Sequence, residues 1–453
     1  MLKLAFLLIG PEAFRARWYV LSLVGVALIG VAGLAVLDAI SGPSGFTDRL
    51  TGLLVLFYGL VSVVPILVAA DRAERRVKVL RASLALFSGG VMLFSPFHSE
   101  WVLSLIVALG FATDGVVRIF IASIFRFPRW RYSASYGAAE LVAALCLLLQ
   151  WPLSHTGNIT LGIGLFIGLS GWMMLRMGFM LRNLEEEVAI LMLPIFAGRG
   201  WHDHAPILIG ADPPRNIDDP PLLLHIWTPV GSANVTSRRL VIDRYVAAVD
   251  ANGAISTGHA ALEMAPDLYI SHYPAEEIER SSDDFIQALN ADPRNDVKGR
   301  FVPSLALEVA DWCPPDVQLR IHRYNPRRLR AFWAGYRQSD TYNVTNRNCA
   351  VVVAAGLEAA LEGALAGRYP WLRLLRLLAD PDLWLAALVR GRAESMTWTP
   401  GFILDYARVL GRIVDRREAP WGRRLRGFLA ALRARRAANL PSSPDDDSKV
   451  QTS

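Results

Sequence analysis

Six stretches of this chain are apolar for long enough to cross a bilayer, and that fact limits what it can fold into. They run over about 18–40, 51–70, 79–97, 101–124, 134–152 and 158–181. Each is close to the roughly 20 residues a helix needs to cross hydrocarbon. That layer offers no water to backbone polar groups, so each span must be helical. The start, MLKLAFLLIGPEAF, holds an apolar run too short for a span, and no convincing cleavage site follows it. Span one therefore reads as an uncleaved anchor. Charged residues make up 19% of the 453, against roughly 25% in soluble domains. That excludes an ordinary cytosolic enzyme, a disordered chain and a fibrous repeat.

The connections assign sides. Lys3, Arg15 and Arg17 precede span one; DRAERRVKVLR (71–81) joins spans two and three, and RFPRWRY (126–132) joins four and five. The opposite loops, SGPSGFTDRL, SPFHSE and SHTGN, carry Arg49 as their one basic residue. Lys and Arg stay cytoplasmic. The expectation is a multi-pass protein of the inner (plasma) membrane with both termini in the cytoplasm.

The bundle also repeats. Gly59 of FYG, Gly115 of TDG and Gly171 of LSG are each 56 positions apart, each in the second helix of a hairpin, with Pro43, Pro96 and Pro152 near the turns. Three tandem helical hairpins follow, and a glycine in each copy lets a neighbouring helix approach closely. The alternative is coincidence, since Gly is common in spans. With TDGVVRIF in span four, these short-looped helices resemble the HdeD family of acid-resistance membrane proteins over roughly the first 185 residues. The resemblance implies a role in acid or envelope stress and supplies no mechanism.

Charges within spans are costly unless paired or wetted. Asp114 and Arg118 are four apart and share a helix face, Glu140 lies in span five, and Arg176 is near enough to the cytoplasmic end of span six to snorkel. Asp114 and Glu140 read as an ion path or as partners in a structural ion pair; a path usually needs more polar residues. His98 and Glu100 face outside, as acid sensors or as a solvated loop.

The membrane part is expected over 1–184, a linker over 185–218 and a soluble domain over 219–366. His202 and His204 in the linker lack a third ligand nearby and read as loop histidines. Strands are expected over 222–231, 240–264 (two, around the turn Asp250–Gly253), 268–274 and 317–324. Helices are expected from 274, from Pro326 after Asn325, and from the loop TNRN onward. Strands first and helices later suggest α+β.

Cysteine is limited to Cys146, Cys313 and Cys349, with no CxxC pair, so neither a zinc site nor a disulfide framework is expected. Cys349 stands where TNRN gives way to an apolar helix. A helix N-terminus stabilises an anion and offers free N–H groups to an oxyanion, a common seat for a nucleophilic thiol. Upstream lie His259 in TGHAALEM and His272 in LYISHYP. A hairpin centred between Ala265 and Pro266 would set these two opposite one another, one taking the thiol proton while the other fixes its tautomer. Glu263 and Asp267 are alternatives to His272 as the orienting residue. Cys313 in DWCPPD is the rival nucleophile, but the following Pro forbids a regular helix there. Cys146 is mid-span packing. Cys349 as a small buried core residue is the bland alternative.

GHAAL, a second His thirteen residues on, and NC opening a helix resemble the circularly permuted papain-like fold, which includes NlpC-type hydrolases and lecithin:retinol acyltransferase-like enzymes. The resemblance covers about 220–365. It implies Cys349 as nucleophile, His259 as general base and His272 as the third polar residue, with no metal or organic cofactor. An acidic residue and an aromatic follow NC in the acyltransferase-like group; AVVV follows here.

From 367 to 438, Leu, Trp and Arg alternate at helical spacing, as in YPWLRLLRLL and WGRRLRGFLAALRARR. Such amphipathic helices suit an anionic headgroup layer or ordinary packing, with the layer favoured for 421–436; residues 439–453 read as a disordered tail. The whole is expected to be an all-α polytopic bundle fused to a soluble α+β papain-like domain and C-terminal amphipathic helices. Its expected partners are membrane lipids and an acyl or peptide substrate, not nucleic acid, with self-association through the bundle left open. The activity expected is a cysteine hydrolase or acyltransferase near the cytoplasmic membrane face. The alternatives are a non-enzymatic stress protein with a binding-only soluble domain, and a transporter using Asp114 and Glu140.

Overall fold

The structure is a computed structural model that describes residues 1–10, 12–41, 100–127, 130–183, 220–229, 245, 248–249, 255–276 and 289–416, with isolated positions between 53 and 90. The chain divides into two compact units, residues 1–41 with 100–416, and residues 42–99 with 417–453. Four described helices are long and apolar enough to span a membrane: Trp18–Ser41, Val107–Phe125, Trp130–Leu149 and His155–Arg182. The spans expected at 51–70 and 79–97 fall mostly outside the described residues, as do His98, His202, His204 and the amphipathic segment 421–436.

In the first unit, α1 (Leu2–Ile9) and α2 (Glu12–Arg15) lead into α3 (Trp18–Ser41). Then come α4 (Glu100–Phe125), α5 (Trp130–Leu149) and α6 (His155–Arg182). Helix α3 pairs with α6, and α4 with α5. The repeated glycines lie at these contacts. A Cβ built on Gly171 would stand 2.7 Å from the Gly25 carbonyl oxygen, and one on Gly115 would stand 2.7 Å from that of Gly137. Within the second unit, a Cβ on Gly59 would meet the Leu86 nitrogen at 2.8 Å. Gly171 thus faces α3, and Gly115 faces α5.

Three charges in the described spans, Asp114, Arg118 and Glu140, meet one another. Arg118 Nε lies 2.6 Å from Asp114 Oδ2 and 3.2 Å from Glu140 Oε2, the latter without hydrogen-bond alignment. Arg392 approaches the other Asp114 oxygen at 3.2 Å. This geometry favours the structural pairing of Asp114 and Glu140 over a path.

The α+β part is built on an antiparallel sheet of order β5-β4-β1-β8: β1 (Leu222–Trp227), β4 (His259–Met264), β5 (Leu268–Ile270) and β8 (Val317–Ile321). Short β2 (Ala248–Val249) and β3 (Ile255–Ser256) pair with each other. A three-stranded sheet joins β6 (His272–Pro274), β7 (Val297–Phe301) and β9 (Thr341–Tyr342) in the order β6-β7-β9. Period-two alternation puts Leu222, Leu224, Ile226, Ala260, Leu262 and Met264 on one face of the larger sheet. All are buried in one core with α8 (Pro326–Tyr336), α9 (Cys349–Leu361) and α12 (Pro400–Val414). The opposite face carries Trp227, Ala261 and Tyr269, which pack with Val302 and Leu305 at the start of α7 (Leu305–Asp311).

Two arrangements differ from expectation. Helix α1 is not peripheral: Leu4 to Ile9 are buried, and Leu7 and Leu8 accept hydrogen bonds from the Gly363 and Leu365 N–H groups at 2.9 and 2.8 Å. Phe14 stacks edge-on between Phe6 and Trp371 at 4.6 and 5.1 Å. The core also continues past 366. Helix α12 buries Phe402, Ile403, Tyr406 and Leu410 in it, beside α10 (Pro370–Leu378) and α11 (Pro381–Glu394).

Candidate active site

Cys349 is the first residue of α9, and the sequence explains why the helix starts there. Asn348 caps it, its Oδ1 accepting from Val351 N–H at 2.8 Å. The Asn348 amide nitrogen donates to the Val344 carbonyl at 2.6 Å and the Trp398 carbonyl at 3.1 Å, fixing the cap from two sides. Among the described residues no hydrogen bond engages the Cys349 or Ala350 N–H, as expected for a first helical turn. Cys349 is 8% exposed. Helix α9 lies on β4, where a Cβ at Gly356 would stand 3.1 Å from Leu262.

His259 opens β4. Gly258 before it has φ +70°, and a Cβ there would fall 2.4 Å from the Trp227 carbonyl oxygen, so the glycine of GHAAL is required. The buried imidazole has both polar and aromatic neighbours. Its Nε2 lies 2.9 Å from Ser271 Oγ and 2.9 Å from Glu308 Oε1, and Cys349 is near enough to act on its electrostatics. The ring stacks on Tyr273 at 4.0 Å. Burial alone would lower the His259 pKa. The charge of Cys349, then the hydrogen bond and charge of Glu308, outweigh burial and raise it to about 9.

Glu308, on α7, is 2% exposed. Ser271 Oγ donates to it at 3.0 Å, the Tyr269 hydroxyl also donates to it, and Tyr273 acts on its electrostatics. Burial pushes Glu308 up; hydrogen bonding and charge from His259, then the two tyrosines, hold it below the ordinary carboxylate value. Burial and then Glu308 raise both tyrosines, so they stay protonated. Tyr342 is raised by burial and then by the neighbouring Cys349.

His272 does not join this cluster. The β4–β5 register pairs Leu262 with Ile270 and Met264 with Leu268, so the turn holds three residues, Ala265 to Asp267, and centres on Pro266. That one-position slip sets Tyr273, not His272, in line with His259. The strand then breaks at Ser271, and His272 pairs with Phe301 in the other sheet. There His272 Nδ1 meets Tyr336 OH at 3.0 Å, within a box of Phe301, Tyr336 and Tyr342. Its Nε2 faces the Asp340 carbonyl without a hydrogen bond of ordinary geometry. Burial, then Arg347, lowers His272 to about 3, so the ring is neutral.

The other candidates sit elsewhere. Glu263 pairs with His225 at 2.6 Å, and Asp267 with Arg330 at 3.0 Å. Cys313 offers its carbonyl to Trp227 Nε1 at 2.8 Å, and burial, then Asp316, pushes its thiol up. The residue that sequence reasoning missed is Glu308. Its one local signal is Ser304, whose side chain caps α7 at the Leu307 N–H.

Among the described residues no three His, Cys, Asp or Glu side chains group as metal ligands. Comparison with family models, curated proteins and solved structures finds no match to this chain.

Proposed function

We propose that this chain is a membrane-anchored cysteine hydrolase or acyltransferase that acts on an ester, thioester or amide at the cytoplasmic membrane face. In this reading the bundle is three tandem hairpins, and the α+β part is a permuted papain-like domain. One observation carries it: Cys349 is the first residue of a buried helix and acts on the electrostatics of buried His259, whose Nε2 lies 2.9 Å from Glu308. Such a nucleophile–base–orienter row is the usual arrangement of an activated thiol.

Cys349 Sγ bonds to the substrate carbonyl carbon from a Cys349–His259 ion pair in which the imidazole already carries the proton. Glu308 orients the ring and offsets its positive charge. The N–H groups of Cys349 and Ala350 are the donors for the oxyanion. The bond to the leaving O, S or N breaks as His259 returns the proton to it, leaving a thioester on Cys349. Water or an acceptor alcohol or amine then attacks, gives its proton to His259 and releases Sγ. His272 takes no part; it packs the wall behind Tyr342.

A thiol-directed activity probe applied to the full-length protein should label it. Cys349→Ala should abolish labelling, while Cys146→Ala and Cys313→Ala keep it. Glu308→Gln should slow labelling by about 10-fold or more, since it removes the partner that orients the base. Equal labelling of the wild type and Cys349→Ala would remove the site.

A further inference from the structure

Helices α10 and α11 are apolar on two faces at once. One face enters the core through Leu374, Leu377, Leu383, Ala386 and Ala393. The other stands open: Leu375 is 64% exposed, Leu388 67% and Trp384 52%, with Leu372 and Leu385 also exposed. The next helix behaves differently, since within α12 the exposed positions are Arg408 and Arg412. An open apolar patch of this kind marks an interaction surface.

Position names the occupant. Arg392, in the last turn of α11, reaches Asp114 of α4 at 3.2 Å. Asp114 precedes Phe125 by eleven residues, roughly 16 Å of helix, and the Phe125 carbonyl is already docked on the α+β part by the Ala291 N–H at 2.9 Å. The end of α11 therefore lies alongside the span, beyond the point where the span meets the domain. Around Asp114, α4 shows Leu109, Val116 and Phe120 to the surroundings, the surface a span turns to acyl chains. Arg368 and Arg376 are exposed beside the open face and suit anionic headgroups.

We propose that α10 and α11 form a hairpin that enters the bilayer beside α4, running from the headgroup–acyl boundary into the acyl layer, with the end of α11 descending along the span. Leu372, Leu375, Trp384, Leu385 and Leu388 face lipid, and Arg392 is moored at Asp114. This holds whether or not Cys349 is a nucleophile.

The test uses the full-length protein, with Cys146, Cys313 and Cys349 replaced by Ala, in vesicles of phosphatidylethanolamine and phosphatidylglycerol. A bimane label on Leu375→Cys or Leu388→Cys should be quenched at least two-fold by a nitroxide on the lipid acyl chain and spared by aqueous iodide. A label on Arg408→Cys should show the reverse. Iodide quenching at 375 and 388 overturns the proposal, and so does protection from both quenchers, which would mean that another segment or a second copy covers the face. In the unmodified protein, a photoreactive acyl chain should crosslink to peptides within 370–391. Crosslinks confined to the spans overturn it without relying on any variant.

Discussion

His259 and His272 lie thirteen positions apart, yet burial and neighbours drive them in opposite directions. His259 is held at about 9 in the folded chain, above the ordinary ~6.5. The folded state grips that proton more tightly, so the stability it lends is complete below about pH 6.5 and is lost as pH rises through about 9. His272, lowered to about 3, is neutral in the fold. Its contribution is complete above about pH 6.5 and is lost as pH falls toward 3, because the unfolded chain takes up a proton that the fold refuses. Each arm can reach a slope of about 1.4 kcal/mol per pH unit. Thermal midpoints between pH 4 and 10 should therefore peak near neutrality, and His272→Gln should flatten the acid side. An acid limb unchanged by that substitution would assign the loss to other groups. What the sequence shows of His259 and Cys349 is their local setting: a glycine that must take positive φ precedes one, and a polar cap followed by an apolar helix marks the other. Glu308 could not be read, because glutamate usually faces water and only the fold brings α7 over β4. His272 was misassigned by a single residue of turn length.

At the scale of elements, the four described spans were legible because apolar length leaves few alternatives. The glycine spacing of 56 marked real contacts but not their partners. Gly171 meets Gly25 in α3, and Gly115 meets Gly137 in α5; spacing alone says nothing of which helix comes close. Gly171→Leu should force α3 and α6 apart and cost about 1–3 kcal/mol, read as a fall in thermal midpoint in detergent. Gly30→Ala is the control. Nothing lies within 4 Å of a Cβ there, so a change beyond about 0.5 kcal/mol would be unexpected. Equal effects at both sites would refute the close-packing account. Strands β7 and β9 and helix α7 went unread: β9 is two residues long and α7 seven, too short to show a period.

At the scale of the whole molecule, the α+β part is not self-contained. Residues Leu2 to Ile9 fill part of its core, and Arg328 is gripped by Glu362 at 2.8 Å with Glu12 at 3.7 Å. A fragment beginning at 219 would expose the groove that α1 occupies. It should therefore aggregate or melt well below the full chain, and a peptide of residues 1–16 added in trans should raise its midpoint. A fragment as stable as the intact protein would show α1 to be dispensable. The same join carries a counting rule. Leu7 comes before the four described spans and Gly363 after them, yet their backbones share a hydrogen bond at 2.9 Å. Two such segments meet only on one side of a membrane, so the number of crossings between them has even parity. A chain inserted with one crossing too many or too few would strand α1 across the bilayer from its groove, and the miscount would surface as an unfinished core.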